Sequence, residues 1–320
     1  MANNNEVYLI TGTTLNTTLH SGSNNFAEFS GGSCNNCGVA INAANNTALI
    51  NMGTTAGPGT SRNGVQILNL STNAFSPAFE MNQRVSENIS VDPTRSLVLS
   101  ANELGNYAIL QIQVDGSLKE FDASFFSGIA DDSSAEDCST GVAISGGEGT
   151  NSLQLVNLNN VTFGTTTYTA PNTIATLKTA YSFSAGLSGS AVAQGSGHLA
   201  VVTGEFGGNT FAVVQLPAVP STGVPAVIDY VVAEIPSSAA CGAFSAGFDP
   251  HTVTAYTSPN TGDAYAVFAG YSSGVPICLA VVDMTTIINP TKAPRGGAGF
   301  AANDIAPANL PASAVTFFAL

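Results

Sequence analysis

Carboxylates and cysteines are the residue types in this chain that could do chemistry, and the carboxylates are densest in one short segment. Residues 131–137 read DDSSAED, which places four carboxylates within seven positions. Such charges are too costly to bury without partners, so they either stay in water or bind a cation. Three carboxylates, supplemented by loop carbonyls and water, suit calcium better than zinc. The sequence therefore predicts a calcium site at Asp132, Glu136 and Asp137, whereas Asp131 is expected to hydrogen-bond the backbone of its own turn.

The cysteines suggest disulfides and not a cofactor site. The chain has five cysteines, an odd number, so they cannot all pair within it. Cys34 and Cys37 have CxxC spacing, but Gly38 follows where covalent haem attachment needs a histidine. No second pair at similar spacing completes a zinc site. The spacing of Cys34 and Cys37 is compatible with a loop disulfide or with two loop thiols. A second disulfide, between Cys241 and Cys278, is the other candidate pairing.

Nucleophilic serine catalysis is not indicated. Three histidines occur, His20, His198 and His251, each in a different part of the chain, and no G-x-S-x-G elbow is present. We interpret all three as surface or turn residues. No haem or nucleotide site is predicted.

Charge limits the classes of partner. Seven Lys and Arg face 21 Asp and Glu, giving a net charge of −14, which repels nucleic acid and anionic membranes and favours cations or basic surfaces. The sequence contains no run of 18 apolar residues, which is the length needed to span a bilayer. The first ten residues, MANNNEVYLI, lack the pattern of a signal peptide. Two features favour an extracellular or periplasmic protein: the chain has few lysines, and its cysteines are scattered through predicted loops.

The elements that must position these residues are β-hairpins, and the sequence pattern of a hairpin recurs at least five times. Each copy has an apolar run, a Gly- and Asn-rich connection and a second run of period two. The copies span residues 48–70, 96–114, 141–158, 199–216 and 265–284. A short lead strand ending in a polar turn residue is expected before each, at residues 38–42, 88–93, 127–131, 190–194 and 246–250.

A lead strand, a hairpin and a weaker fourth strand, recurring roughly every 40 to 60 residues, are typical of propeller blades. The sequence predicts an all-β chain with almost no helix, folded as one β-propeller domain over residues 1–320. AVTFFAL at residues 314–320 is expected to pair with VYLITGTT at residues 7–14, closing a propeller of six blades, with seven as the alternative. GVAISG at residues 141–146 is assigned to a second strand, although a lead strand remains the alternative.

The hairpin SANELGNYAILQIQV and, more loosely, VTGEFGGNTFAVVQL resemble the repeated hairpin of YncE-like and lactonase-like propellers, which also occurs in surface-layer proteins. The resemblance covers most of the chain at superfamily level. It implies six or seven blades and an extracytoplasmic setting, but no single activity, because that superfamily holds binders, scaffolds and hydrolases.

Lactonase-like propellers gather Glu, Asn and Asp at the mouth of the central channel, and Glu87 and Asn88 would be two such ligands here. The matching positions of the other lead strands hold residues that cannot ligate: Gly38, Gly128, Ser190 and Ala246. We therefore expect a secreted or cell-surface module that binds a protein or a small molecule at a propeller face, with calcium as its candidate stabilising ion. A metal-dependent hydrolase is the alternative.

Overall fold

A computed structural model of the protein describes its strands and turns, and the statements below concern these residues only. They are residues 2–3, 6–11, 14–20, 38–52, 63–81, 88–101, 107–123, 133–147, 150–164, 168–169, 171–178, 183, 186–204, 209–218, 229–236, 253–272, 275–288, 308–310 and 312–319. The chain forms two compact units. The first holds residues 1–133 and 164–168, and the second holds residues 134–163 and 169–320.

The first unit contains three antiparallel sheets, each built from strands that follow one another in sequence. The first sheet holds β1 (Ala2–Asn3), β2 (Glu6–Thr11) and β3 (Thr14–His20). The second holds β4 (Val39–Asn42), β5 (Thr47–Met52), β6 (Asn63–Asn69), β7 (Ala74–Phe75) and β8 (Phe79–Met81), where β6 pairs with both β7 and β8. The third holds β9 (Ile89–Asp92), β10 (Leu97–Ser100), β11 (Tyr107–Ile112) and β12 (Leu118–Ala123).

Further along the chain, three sheets follow, with four, five and four strands. The first of them joins β13 (Ser134–Asp137), β14 (Val142–Gly146), β15 (Ser152–Asn157) and β18 (Asn172–Lys178). Between β15 and β18 in the sequence, the short strands β16 (Thr162–Phe163) and β17 (Tyr168–Thr169) form a separate two-stranded sheet. The next joins β19 (Leu187–Ala193), β20 (Leu199–Gly204), β21 (Thr210–Gln215), β22 (Asp229–Glu234) and the parallel β26 (Ala308–Asn309).

The last sheet joins β23 (Val253–Thr257), β24 (Ala264–Ser272), β25 (Val275–Asp283) and β27 (Val315–Ala319). The described helices are short: α1 (Met284–Ile288) and 3₁₀ turns at Leu158–Asn160 and Ala312–Ala314. The prediction of an almost wholly β chain is therefore confirmed for the described residues.

All five predicted hairpins are present as antiparallel pairs: β5 with β6, β10 with β11, β14 with β15, β20 with β21, and β24 with β25. The assignment of residues 141–146 to a second strand is confirmed, because β14 lies between β13 and β15. The lead strands predicted for that sheet and for the last sheet are wrong. The first strands of these two sheets are Ser134–Asp137 and Val253–Thr257, whereas the predicted residues 127–131 and 246–250 lie outside the described residues. The polar sequence SAED has no alternating apolar pattern, so the sequence alone did not reveal it as a strand.

The predicted closure also differs from the pairing in the described strands. Val315–Ala319 completes the last sheet by pairing antiparallel with β25, from Val282↔Val315 to Cys278↔Ala319. The N-terminal β2 pairs with β1 and β3. An alternating apolar strand shows that it needs a partner but does not specify which edge it joins, so the sequence could not distinguish these pairings.

A five-residue turn links the first and second strands of five sheets. Its first residue lies at or just after the end of the first strand: Asn42, Asp92, Asp137, Gln194 and Ser258. Its fifth residue has a positive φ in every case: Asn46 (55°), Ser96 (55°), Gly141 (74°), His198 (49°) and Gly262 (77°). The sequence repeat is thus a repeat of backbone conformation as well.

The fifth turn residue also fixes the hairpin that follows. In four sheets its carbonyl accepts the N–H of the residue at the end of the third strand, at 2.7 to 3.0 Å: Leu70 to Asn46, Ile112 to Ser96, Leu158 to Gly141 and Leu216 to His198. We call this hydrogen bond the turn clasp. Because it joins the start of one strand to the end of the next, it holds their register.

The second unit has two clusters of buried side chains, and one of them lies between its last two sheets. Buried side chains from β20 and β21, such as Val201 and Phe211, pack with Phe268 and Ala280 of the last sheet. The rings of Phe211 and Phe268 lie 4.9 Å apart. The face of the last sheet that packs here is therefore the core face of this sheet.

Candidate binding surface

The predicted calcium ligands fall on a buried strand, as far as they are described. Glu136 and Asp137 are adjacent residues of β13, opposite Ala143 and Val142 of β14. Adjacent positions of a strand send their side chains to opposite faces, so these two carboxylates do not converge on one ion. Asp132 lies outside the described residues. No group of three or more His, Cys, Asp or Glu side chains that could hold a metal occurs among the residues that the structure describes.

Asp137 holds its turn and an imidazole of the next sheet. One carboxylate oxygen accepts the backbone N–H and the hydroxyl of Ser139, at 2.9 and 2.6 Å. The other lies 2.7 Å from Nδ1 of His198. Burial would raise the pKa of Asp137, but the hydrogen bonds from Ser139 and His198 and the charge of His198 hold it below its ordinary value.

Gln194 strengthens the same junction. Its Oε1 accepts the N–H of Cys138 at 3.0 Å, and its Nε2 donates to the carbonyl of Glu136 at 2.6 Å. Gln194 and His198 are the first and fifth residues of one turn, and both contact β13 or its turn. This cluster ties the turns of two neighbouring sheets together, and its groups are already engaged with one another, so its geometry is that of a structural junction.

The predicted hydrolase residues are only partly described. Glu87 lies outside the described residues. The side-chain oxygen of Asn88 accepts the N–H of Ile89 at 2.7 Å, and a Cβ added at Gly38 would lie 2.8 Å from that oxygen. The amide therefore serves as a local cap packed against the neighbouring strand.

The cysteines are described at two positions. Cys278 lies on the core face of β25, fully buried and disulfide-bonded. Cys138 is half-buried in the turn after β13. Cys34, Cys37 and Cys241 lie outside the described residues, so the predicted pairings stay predictions.

The outward face of the last sheet is largely apolar, and the sequence alone did not identify it. Strand register groups its side chains into three cross-strand rows. The rows are Tyr256, Tyr265 and Asp283; then Thr254, Val267, Val281 and Thr316; then Ala269, Leu279 and Phe318. We call these ten residues the tyrosine face. They have the strand parity opposite to the buried Ala266, Phe268, Ala280 and Val282.

Every side chain of the tyrosine face is at least partly exposed. Tyr256 is 46% exposed and Phe318 is 52% exposed, two of the four large hydrophobic residues that stand out in this way among the described residues. The rings of Tyr256 and Tyr265 stack with centroids 5.3 Å apart and an angle of 20° between their planes. The face therefore combines a flat aromatic pair with a strip of aliphatic side chains.

The aromatic end of the face is negatively charged. Asp283 is paired directly with Tyr265 in the β24–β25 register, and Asp263 immediately precedes β24. Burial, followed by the charges of Asp283 and Asp263, raises the pKa of the Tyr265 hydroxyl, although a hydrogen bond from Thr261 acts in the opposite sense. Both carboxylates thus act electrostatically on the tyrosine pair.

Asp283 is held in place by the start of α1. Its Oδ1 accepts the N–H of Thr286 at 3.0 Å, and its Oδ2 accepts the Thr286 hydroxyl at 2.7 Å. This is N-capping geometry, which fixes the carboxylate at the end of β25. Alternation in β24 and β25 could have revealed the face, but both faces of these strands are apolar, so the sequence did not show which one is solvent-exposed.

Comparison with known proteins gives the fold. No protein-family model matches the chain, and no curated protein does. Among solved structures, the Swd1 β-propeller domain of Myceliophteria thermophila is 11% identical at a TM-score of 0.54, covering 85% of this chain and 73% of that one. A functionally unknown protein from Desulfotomaculum acetoxidans is 13% identical at a TM-score of 0.54, covering 96% and 79%.

A structure of a nidogen/laminin complex also matches, with 10% identity, a TM-score of 0.49 and coverage of 78% and 76%. In the described residues no helix is both long and apolar enough to cross a membrane. Identities this low carry no function, but the Swd1 likeness agrees with the successive four-stranded antiparallel sheets. The chain resembles β-propeller domains in its fold.

Proposed function

We propose that this protein is a binding module, and that it holds a segment of a partner protein on the tyrosine face. The observation that carries the proposal is the exposure of aromatic and aliphatic side chains, in register, on one side of a sheet whose other side is core. Isolated exposed hydrophobic residues are ordinary, but contiguous apolar patches mark interaction sites. Aromatic side chains are also enriched at the centres of protein interfaces.

The architecture suits this role. The tyrosine face is built on four hydrogen-bonded strands, so little backbone order has to be gained on binding. Covering its apolar side chains would contribute about 25 cal/mol for each Å² removed from water. A propeller fold hosts many functions, so the site and not the fold supports the proposal.

The experiment is a selection of random peptides displayed on phage against the full chain. A doubly substituted protein, Tyr256→Thr with Phe318→Thr, serves for counter-selection, because threonine favours strands and should keep the sheet intact. Peptides that bind the unsubstituted chain and not the double variant are expected. If every enriched peptide bound both proteins equally, the tyrosine face would not be the binding surface.

Ile41 offers a matched control, because it is also a large hydrophobic side chain exposed on a strand, at 57%. Ile41→Thr should leave binding of the selected peptides unchanged. Loss of binding in this variant as well would mean that general surface hydrophobicity explains the selection.

An extracellular or periplasmic setting is part of the proposal. It is supported by the composition and by the disulfide-bonded Cys278, since disulfides persist in oxidising compartments. Nothing in the described geometry favours the hydrolase alternative at Glu87 and Asn88.

A further inference from the structure

We infer that the partner segment is positively charged, and that it places a cationic side chain, best an arginine, against Tyr256 beside Asp263 and Asp283. This inference rests on the proposed function and adds the chemistry of the partner to it. Tyr256 and Asp283 belong to one row of the tyrosine face, and Asp263 immediately precedes β24, which carries the middle residue of that row.

The aromatic pair offers a surface for a planar cation. Tyr256 is exposed and lies with its ring stacked on Tyr265, so a guanidinium can approach its open side. Cations are attracted to the faces of aromatic rings, and arginine stacks on them more often than lysine. An aliphatic arginine stem would meanwhile cover neighbouring apolar side chains such as Val267 and Val281.

The carboxylates supply the counter-charge. Asp283 is fixed by Thr286, and both Asp283 and Asp263 raise the pKa of the Tyr265 hydroxyl through their negative charge. None of the ten residues of the tyrosine face is basic, so the face itself does not neutralise these charges. A positively charged ligand gains an ion pair here as well as the contact with the ring.

Charge complementarity favours another protein over a second copy of this chain. Each copy carries a formal net charge of −14, so two copies repel one another at long range, whereas a basic segment is attracted. The partner chemistry follows from the acidic surroundings of an aromatic and apolar face.

The test is fluorescence anisotropy with short labelled peptides of defined composition. Peptides of alternating glycine and arginine, glycine and lysine, and glycine and glutamate are titrated with the full chain, in low salt and at about 0.15 M salt, where the Debye length is about 8 Å. We expect the arginine peptide to bind most tightly, the lysine peptide more weakly, and the glutamate peptide not at all.

Substitutions then locate the binding. Tyr256→Thr should weaken binding of the arginine peptide by about three- to tenfold, whereas Tyr256→Phe, which keeps the ring, should retain it. Asp283→Asn should weaken it by a similar factor while still capping α1, since asparagine caps helices well. Asp263→Asn should act in the same direction.

The controls are matched in residue type and belong to the other compact unit of the chain. Asp115→Asn removes a carboxylate from an exposed turn, and Ile41→Thr removes an exposed apolar side chain. Neither should change the affinity by more than about twofold. Thermal melting of each variant, followed by circular dichroism, shows that the fold is retained.

Several results would overturn the inference. Equal binding of the arginine peptide to Tyr256→Thr and to the unsubstituted chain would reduce the effect to general surface charge. Selected peptides that depend on the tyrosine face but lack basic residues would overturn the charge requirement and leave the proposed function intact. A dimer of the chain that dissociates in the Phe318→Thr variant would make a second copy the occupant, and both proposals would fail.

Discussion

His198 and Asp137 join two neighbouring sheets through an imidazole nitrogen and a carboxylate oxygen that are 2.7 Å apart. Asp137 is the first residue of its turn, and His198 is the fifth residue of the corresponding turn in the next sheet. The Asp137 side chain is fully buried, and that of His198 is 18% exposed. The repeated turn thus provides a contact between repeats as well as a connection within each.

Replacing Asp137 tests the strength of this contact. Asp137→Asn keeps an oxygen for the Ser139 N–H but removes the charge that faces His198, so we expect a loss of about 1–3 kcal/mol in the free energy of unfolding at neutral pH. Urea titrations of both proteins measure it. If the same loss appears in His198→Asn and does not increase in the double variant, the two side chains act as a pair.

The pH dependence of this loss has a defined sign. The pKa of Asp137 is lower in the folded protein than its ordinary value of 3.8. Its stabilising effect is therefore fully present above about pH 4 and is lost as the pH falls through the lower folded value. The unsubstituted protein should lose stability in this acidic range more steeply than Asp137→Asn. Parallel curves would show that the carboxylate does not contribute in this way.

The left-handed residue of the turn allows a stabilising substitution. Ser96 has φ of 55°, a conformation that glycine adopts without the steric cost of a Cβ. Ser96→Gly should raise the free energy of unfolding by about 0.5–1 kcal/mol. Thr94, in the same turn, does not have a positive φ, so Thr94→Gly should lower it by a similar amount. A loss in both variants would contradict the role of the backbone conformation.

Gly146 lies where two sheets meet closely. A Cβ there would come within 2.7 Å of Val202 Cγ1 and 2.8 Å of Leu187 Cβ, so Gly146→Ala should overpack the core and cost about 1–3 kcal/mol. At Gly197 the nearest atom to a Cβ would be 3.9 Å away. Gly197→Ala should therefore have little effect. Chemical denaturation of both variants compares them, and equal stabilities would show that the two sheets separate easily.

The calcium prediction can be tested by thermal melting with calcium and with a chelator. Asp137 is committed to its turn and to His198, and Glu136 points to the opposite face of β13, so we expect equal melting temperatures. A rise with calcium that disappears in Asp132→Asn would instead support the site predicted from the sequence.

The disulfide predictions can be tested by mass spectrometry of peptides from unreduced protein. Cys278 is disulfide-bonded, and we expect its partner to be Cys241 and a second link between Cys34 and Cys37. A peptide in which Cys278 is linked to any other cysteine would overturn the first pairing. Alkylation of Cys34 and Cys37 without reduction would overturn the second.

The hairpins could be predicted from the sequence because their signals are local. Alternation and turn residues in a segment such as residues 96–114 depend on near neighbours only, and the structure reproduces them. The strand Ser134–Asp137 could not be recognised in this way. Its polar groups are buried because Gln194 and His198, far along the chain, bind them. The tyrosine face has the same difficulty, since only packing distinguishes it from the core face.

The order of strand pairing has a consequence for how the last sheet forms. In most of the described sheets each strand pairs with the next one along the chain, and contacts of this local kind form quickly during folding. Val315–Ala319 is different, because it joins β25 only after α1 and the residues that follow it have been made. During synthesis on the ribosome, β25 therefore has an open edge. Until β27 arrives, a foreign strand could add at that edge, and the edge of β22 that later pairs with β26 is open in the same way.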